Sequence, residues 1–239
     1  CGFNYDAWDE KPTRQMLDEI VPDRPVYIAS WDMHVGWMST LAQQAAGYSD
    51  DTPDPEGGYL ERDADGHLTG LGFEPPVNDP VWGMGNLTAN MDRCFGGSMQ
   101  ECLSLGVTSA GVVWPYGGVP EEDHMRIFKE FEDADKLPMR LTVFPKMEPD
   151  LAAAKRYERE LTSDHLRFGG VKQIVDGVCE AHTGFLTEPY ADDPSTCGEP
   201  TIKKDELKAM VAEANGLNYP VRLHAIGNGT VRMVLDVFE

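Results

Sequence analysis

The sequence has few basic residues. Its 20 Lys and Arg are outnumbered by 41 Asp and Glu, which gives a formal net charge of −21. A chain this acidic repels phosphate backbones and anionic lipid headgroups. We therefore expect no nucleic acid and no membrane among its partners. A small molecule is the expected partner, and assembly into a homo-oligomer stays open.

Cysteines are also sparse, and none forms a CxxC pair. An odd number of scattered cysteines predicts neither a disulfide scaffold nor a thiolate zinc site, and it fits a reducing compartment. No stretch approaches the roughly 20 apolar residues of a membrane span, and the first residues, CGFNYDAWDEKP, do not read as a signal peptide. We therefore expect a cytoplasmic protein. The five cysteines are Cys1, Cys94, Cys102, Cys179 and Cys197.

The second half of the chain alternates between short β-branched runs and helical stretches. Its 239 residues, 41% of them hydrophobic, suffice for one sizeable core. Strands followed by helices predict an α/β fold with a parallel sheet, either a barrel or a doubly wound sheet, and four such units make half a barrel. The predicted strands are 106–113, 139–144, 170–176 and 219–226, and the predicted helices are 121–135, 149–162, 204–217 and 230–239.

The first 80 residues follow a different pattern. PVYIAS predicts a strand, STLAQQAAG predicts a helix, and the turn residues around Asp65-Gly66 predict a small hairpin. We interpret residues 23–76 as an inserted α/β subdomain, and residues 1–22 with 77–239 as a partial barrel.

Lys172 lies on a strand that is expected to line the interior. Because side chains alternate across a strand, Lys172 and Asp176 share one face of GVKQIVD. Burial lowers the pKa of a lysine, so its neutral amine becomes accessible. Such an amine can form a Schiff base, act as a base, or add carbon dioxide to become a carbamate that bridges metal ions. The alternative is an ion pair between Lys172 and Asp176.

His224 lies near the end of the strand YPVRLHAIG, where barrel enzymes place their active sites. Neutral imidazole is the commonest metal ligand, which makes His224 a candidate. The alternative is a hydrogen-bonded core histidine.

Two loops carry further candidates. Asp32, His34 and Trp37 follow a predicted strand and form a polar and aromatic cluster suited to a pocket wall; the alternative is a capped helix start with a packed tryptophan. Glu180, His182 and Thr183 follow the Lys172 strand in CEAHTGFLTEPY, so we expect them at the rim of the site.

Several segments in order resemble the YtcJ-like branch of the amidohydrolase superfamily, also called amidohydrolase family 3. They are PDRPVYIASWDMHVGWMS, TPDPEGGYLERDADGHLTG, GVTS, VKQIVDGVCEAHTGFLTEPYADDP and RLHAIGNGTV, and together they cover nearly the whole chain. The resemblance implies a (β/α)8 TIM barrel of the amidohydrolase type, incomplete in this chain, with a small α/β insertion.

The resemblance also implies roles for individual residues. Lys172 matches the carboxylated lysine that bridges metals, His224 matches a histidine ligand, and Asp32 with His34 matches a DxH motif that reaches the substrate pocket. The implied cofactor is a divalent metal, zinc as one or two ions, with a carbamate on Lys172.

The sequence departs from the family pattern at several positions. Asn228 stands where an Asp is common after HAIG, and Met38-Ser39 replaces a usual Asn-Ser. The family's first HxH pair, its later His and its catalytic Asp are missing between Cys1 and Glu239, so we expect them beyond these ends. No catalytic residue is assigned in this chain.

The expected function is hydrolysis of the carbon-nitrogen bond of an amide, a formamide or a cyclic amide by a metal-activated water, with the isolated chain inactive. Two alternatives stay open. One is a non-catalytic barrel that binds a small ligand, and the other is a Schiff-base aldolase that uses Lys172.

Overall fold

A computed structural model of the chain describes residue 3 and residues 11–85, 91–113 and 120–239. Cys1 lies outside these residues, and the other four cysteines are free. Within the described ranges, no helix is long and apolar enough to cross a membrane.

The first half of the chain forms an antiparallel sheet of four strands in the order β1-β2-β4-β3. The predicted hairpin is its β3–β4 unit. Asp63 closes the turn by accepting hydrogen bonds from the backbone N–H groups of Asp65 and His67. The strands are β1 Tyr27–Ala29, β2 Val35–Met38, β3 Tyr59–Arg62 and β4 Leu68–Phe73.

Both faces of this antiparallel sheet are covered. Three helices pack nearby: α1 Arg14–Ile20, α2 Thr40–Ala45 and α3 Pro75–Trp82. Ser39 caps α2, because its side chain accepts the N–H of Ala42. One face buries Met38, Leu60, Leu68 and Val77, and the other buries Leu17, Val35, Trp37 and Phe73.

The described part of the second half contains five parallel strands. They form a sheet in the order β5-β6-β7 and a pair β8-β9, and a parallel bridge between Lys146 and Lys172 connects the two groups. The strands are β5 Ser109–Val113, β6 Arg140–Phe144, β7 Leu166–Phe168, β8 Val171–Ile174 and β9 Val221–His224. The predicted parallel α/β arrangement is confirmed.

The sequence did not predict β7. This strand has only three residues and lies just before Gly169 and Gly170, which separate it from β8. Gly170 has a φ of 127°, and a Cβ there would overlap the carbonyl oxygen of Pro220. Only glycine therefore lets the β9 chain approach β8 this closely.

Among the residues that the structure describes, five helices flank the parallel strands on one side. Alternate strand residues such as Leu141, Val143, Val171 and Val175 are buried among them, and each contributes about 1.5–3 kcal/mol by burial. The helices are α4 Met91–Ser104, α5 Glu121–Asp133, α6 Ala152–Glu160, α7 Lys204–Gly216 and α8 Asn228–Phe238. A closed barrel and the subdomain boundaries at 23 and 76 stay predictions.

Candidate active site

Lys172 and His224 lie on the same face of two neighbouring strands. In the parallel β8–β9 pair, Lys172 is opposite Arg222 and Ile174 is opposite His224. Partners in register point to the same side of a sheet, and side chains two residues apart do so as well. The structure thus brings together the two residues that the sequence suggests as metal ligands, and their metal roles stay predictions.

The surroundings favour the neutral forms of both side chains. Burial, and then the charge of Arg222, lower the pKa of Lys172. Burial, and then the charge of Lys172, lower the pKa of His224. Arg222 itself stacks on the ring of Phe144, 3.6 Å from the ring centre. A neutral amine can add carbon dioxide, and a neutral imidazole can bind a metal.

The Nε2 atom of His224 is buried and has no hydrogen-bond partner among the described residues. A buried polar atom without a partner is costly, and a ligand that accepts the imidazole lone pair would remove that cost. Within the same residues, the Lys172 amine is in no ion pair, so the alternative Lys172–Asp176 pair does not form. Both side chains therefore fit a metal or another bound group.

Asp176 accepts hydrogen bonds from its surroundings instead of pairing with Lys172. It is fully buried, and its carboxylate accepts the backbone N–H groups of Phe185 at 3.0 Å, Ile226 at 2.9 Å and Gly227 at 2.8 Å, and the Thr230 hydroxyl at 2.6 Å. One carboxylate thus ties the loop after β8 to the start of α8. This clamp fixes the chain two residues beyond His224.

His34 reaches this site from the antiparallel sheet. Its ring centre lies 6.1 Å from that of His224, and its Nδ1 is 2.8 Å from Oε2 of Glu74. Burial lowers the pKa of His34, but the hydrogen bond and the charge of Glu74 outweigh burial, so the pKa is raised. Asp32 accepts the Ser30 hydroxyl and the His34 N–H, and so shapes the loop that carries His34.

Glu74 is the site residue that sequence reasoning missed. It is 5% exposed, and its Oε1 accepts the hydroxyl of Thr183 at 2.5 Å. Its φ of 69° and ψ of 161° lie in a region that is almost restricted to glycine and cost about 1–3 kcal/mol. The only signal in the sequence is an acidic residue between a strand and Pro75, which does not distinguish a buried carboxylate from an exposed one.

The remaining predicted residues are more scattered. Trp37 is buried, packs against Phe3 and donates its Nε1–H to the Thr13 carbonyl at 2.9 Å. Glu180 is exposed but close enough for its charge to raise the pKa of His34. His182 lies 3.0 Å from Asp192. Their substrate roles stay predictions.

A cavity of about 780 Å³ lies between the antiparallel sheet and the carboxyl ends of the parallel strands. Its walls include Glu74, Lys146, Ile174, His182 and Thr183. His34, Lys172 and His224 are not among the lining residues. The cavity adjoins them through two of its wall residues, because Ile174 is opposite His224 in the β8–β9 pair and Thr183 bonds to Glu74, the partner of His34. This space is large enough for a small organic molecule.

The described residues contain no group of three or more His, Cys, Asp or Glu side chains that could hold a metal. Lys172 and His224 thus form at most a partial ligand set, because a catalytic zinc usually has three protein ligands.

Comparisons with known proteins place the chain in a family. Residues 3–239 match the amidohydrolase family. The chain is 30% identical to "Putative amidohydrolase YtcJ" of Bacillus subtilis (strain 168), covering 100% of the chain and 45% of that protein. It is 26% identical to "N-substituted formamide deformylase" of Arthrobacter pascens, covering 100% of the chain and 46% of that protein.

Two solved structures are also similar. An uncharacterized metal-dependent hydrolase from Pyrococcus horikoshii OT3 matches with a TM-score of 0.65 and 25% identity, over 99% of this chain and 46% of that one. An uncharacterized metal-dependent hydrolase from Pyrococcus furiosus matches with a TM-score of 0.64 and 28% identity, over 99% and 47%. The chain therefore spans less than half the length of these four proteins. The match over residues 3–239 confirms the resemblance drawn from the motifs, and the chain belongs to the amidohydrolase family.

Proposed function

We propose that this protein is a metal-dependent hydrolase that cleaves the carbon-nitrogen bond of a small amide, formamide or cyclic amide. The observation that carries the proposal is the pair of Lys172 and His224: a lysine of lowered pKa beside a buried imidazole whose Nε2 has no partner among the described residues. The names of two relatives, a putative amidohydrolase and an N-substituted formamide deformylase, support this bond type.

Lys172 and His224 would hold a divalent metal, zinc as one or two ions. The neutral Lys172 amine would attack carbon dioxide and release one proton, which leaves a carbamate with an anionic oxygen ligand. Bound zinc supplies two kinds of chemistry, because it lowers the pKa of a coordinated water and polarises a carbonyl group.

The other residues of the site would bind and orient the substrate. His34 lies opposite His224 and would contact the polar group of the substrate, while Glu180 and His182 would line the rim. Asp32 and Trp37 would keep the His34 loop in place through the Asp32 turn and the packing of Trp37. Asp176 would keep His224 aligned, because it fixes the backbone of Ile226 and Gly227.

The decisive experiment replaces Lys172 in the full-length protein, because Lys172 and His224 alone form only a partial ligand set. Lys172→Ala should lose bound zinc in elemental analysis, and it should lose the carbamate carbon signal that ¹³C-labelled bicarbonate gives in the parent protein. Lys129→Ala is the matched control, since Lys129 pairs with Glu132 on the outer surface of α5. The control should retain both signals. A Lys172→Ala protein with full zinc content and unchanged hydrolysis of 4-nitroformanilide would refute the proposal.

A second candidate function is a Schiff-base aldolase, which the lowered pKa of Lys172 also favours. Borohydride with an aldehyde substrate would then attach the substrate covalently to Lys172, and mass spectrometry would detect the adduct. A zinc-loaded protein that hydrolyses amides and forms no adduct excludes this candidate. A protein that binds a ligand but does neither is the non-catalytic alternative.

A further inference from the structure

Glu74 holds His34 at two points. Its backbone N–H donates to the carbonyl of His34 at 2.8 Å, and its carboxylate lies 2.8 Å from Nδ1 of the same residue. Asn78 adds a hydrogen bond from its side chain to the His34 carbonyl at 3.2 Å. The peptide group and the ring of His34 are thus fixed by one neighbouring segment, at the start of α3.

The carboxylate of Glu74 is itself held from the other side. The Thr183 hydroxyl donates to Oε1, while Oε2 faces His34. The backbone of Gly177 packs directly against this hydrogen bond. A Cβ at that position would lie 2.5 Å from Oε1 of Glu74 and would overlap the Thr183 hydroxyl oxygen. The two oxygens therefore have different and fixed partners, one from each half of the chain.

The backbone conformation of Glu74 also indicates a functional role. A non-glycine residue at a φ of 69° and a ψ of 161° persists only where its surroundings over-determine it. Such residues cluster at functional sites. Here the strained backbone places a buried carboxylate directly behind a histidine whose ring lies 6.1 Å from the ring of His224.

A carboxylate accepts hydrogen bonds and cannot donate them, so Nδ1 of His34 must carry the proton of this bond. Nε2 lies on the opposite side of the ring. We propose that Glu74 is a positioning residue that fixes the ring orientation and the Nδ1–H form of His34, and so directs Nε2 away from Glu74 for contact with a bound substrate. The catalytic meaning of this step rests on the proposed function, whereas its structural test does not.

The test is the ring protonation of His34, measured by long-range ¹H–¹⁵N NMR of the metal-free full chain with ¹⁵N-labelled histidine. His34→Gln identifies the His34 signals among the six histidines. Glu74→Met is similar in size and cannot accept a hydrogen bond, so the Nδ1–H pattern of His34 should be lost. Glu74→Gln should retain it, because the amide oxygen can face Nδ1 while the amide NH₂ faces Thr183. The wild type and both Glu74 variants have a non-glycine residue at this φ, so the backbone strain does not differ between them.

The surface supplies a matched control. Asp50 lies 2.8 Å from Nδ1 of His67, the same atom and distance as in the buried pair, but both partners are largely exposed. Asp50→Leu should alter the His67 signals and leave those of His34 unchanged. If Glu74→Met does not fold, Thr183→Val is the variant to test. In that variant the Nδ1–H pattern of His34 should persist, but the Nδ1 proton should exchange faster with water.

An unchanged His34 pattern in a folded Glu74→Met protein would overturn the inference, and so would an unchanged proton exchange rate in Thr183→Val. Zinc-loaded protein and 4-nitroformanilide supply the second readout. Glu74→Met should lower kcat by up to about 100-fold, which is the cost of a misplacement of about 1 Å, and Glu74→Gln should restore part of the lost activity. If the zinc-loaded full-length wild-type protein hydrolyses nothing while the NMR result holds, the proposed function fails and the assignment of Glu74 stands.

Discussion

Asp176→Asn tests whether the buried clamp holds the site together. The asparagine has one acceptor oxygen, which can replace Oδ2 and still face Phe185, Gly227 and Thr230. Its NH₂ group then replaces Oδ1 and faces the N–H of Ile226, so two donors meet. The change is nearly isosteric and leaves the packing volume intact.

The expected loss in the free energy of unfolding follows from these four hydrogen bonds. A hydrogen bond to a charged group contributes about 1.5–3 kcal/mol, and a neutral one about 1 kcal/mol. Losing one of these hydrogen bonds and weakening the other three gives about 3–9 kcal/mol. Removing a buried charge returns part of the desolvation penalty, so we expect a net loss of about 3 kcal/mol. Thr230→Val removes one donor and should cost about 1–2 kcal/mol.

Urea unfolding followed by circular dichroism measures both losses. Asp51→Asn is the control, because Asp51 is an exposed turn residue and surface substitutions usually stay within about 0.5 kcal/mol. The combined Asp176→Asn and Thr230→Val variant should lose less than the sum of the two, since they share one bond. An Asp176→Asn protein within about 0.5 kcal/mol of wild type would refute the clamp.

Three further predictions concern the surroundings of the site. Gly177→Ala should destabilise the protein and disturb the His34 NMR signals, because the new Cβ collides with Thr183 and Glu74. Gly97→Ala is the control: Gly97 lies in the middle of α4 with free space around it, so this change should stabilise the protein by about 0.5–1 kcal/mol. The raised pKa of His34 means that the Glu74 bond stabilises the fold most below the ordinary histidine pKa of about 6.5 and loses this contribution as pH rises through the raised value. The difference in unfolding free energy between wild type and Glu74→Gln should therefore shrink as pH rises from about 6.5 through the raised pKa of His34, and a pH-independent difference would contradict this prediction. Arg222→Gln should raise the pKa of Lys172, since the Arg222 charge is its second cause after burial, and the rate of reductive methylation of Lys172 in metal-free protein should fall at neutral pH.

The sequence predicted the parts of the fold whose signals are local. The helices α5 and α7 begin at the predicted residues, 121 and 204, because their apolar residues recur at helical spacing and charged residues fill the exposed face. The β3–β4 hairpin followed from turn chemistry at Asp65 and Gly66. The shared face of Lys172 and His224 followed from alternation within each strand together with the expectation that both strands belong to one parallel sheet.

The missed features depend on contacts between distant segments. The strand β7 has only three residues, and its pairing with β6 decides its structure more than its composition does. Asp176 was expected on the same strand face as Lys172, which suggested an ion pair, but its carboxylate accepts hydrogen bonds from the loop after β8, from the residues just before α8 and from Thr230. Glu74 is recognisable only after folding places Thr183 and His34 on its two oxygens.

The hydrogen bond between Glu74 and Thr183 also has a kinetic consequence. It joins residues 109 positions apart, and closing a flexible loop of that length costs on the order of 4 kcal/mol of chain entropy before the contact contributes anything. Local hairpins and helices form in microseconds, whereas such non-local contacts slow folding. The junction of the antiparallel sheet and the loop after β8 should therefore be among the last parts to assemble and the first to open. In native-state hydrogen exchange, the amides of Gly177 and Thr183 should exchange through a smaller opening than those of β6 and β8, while the hydrophobic centre between α6 and α7 stays closed.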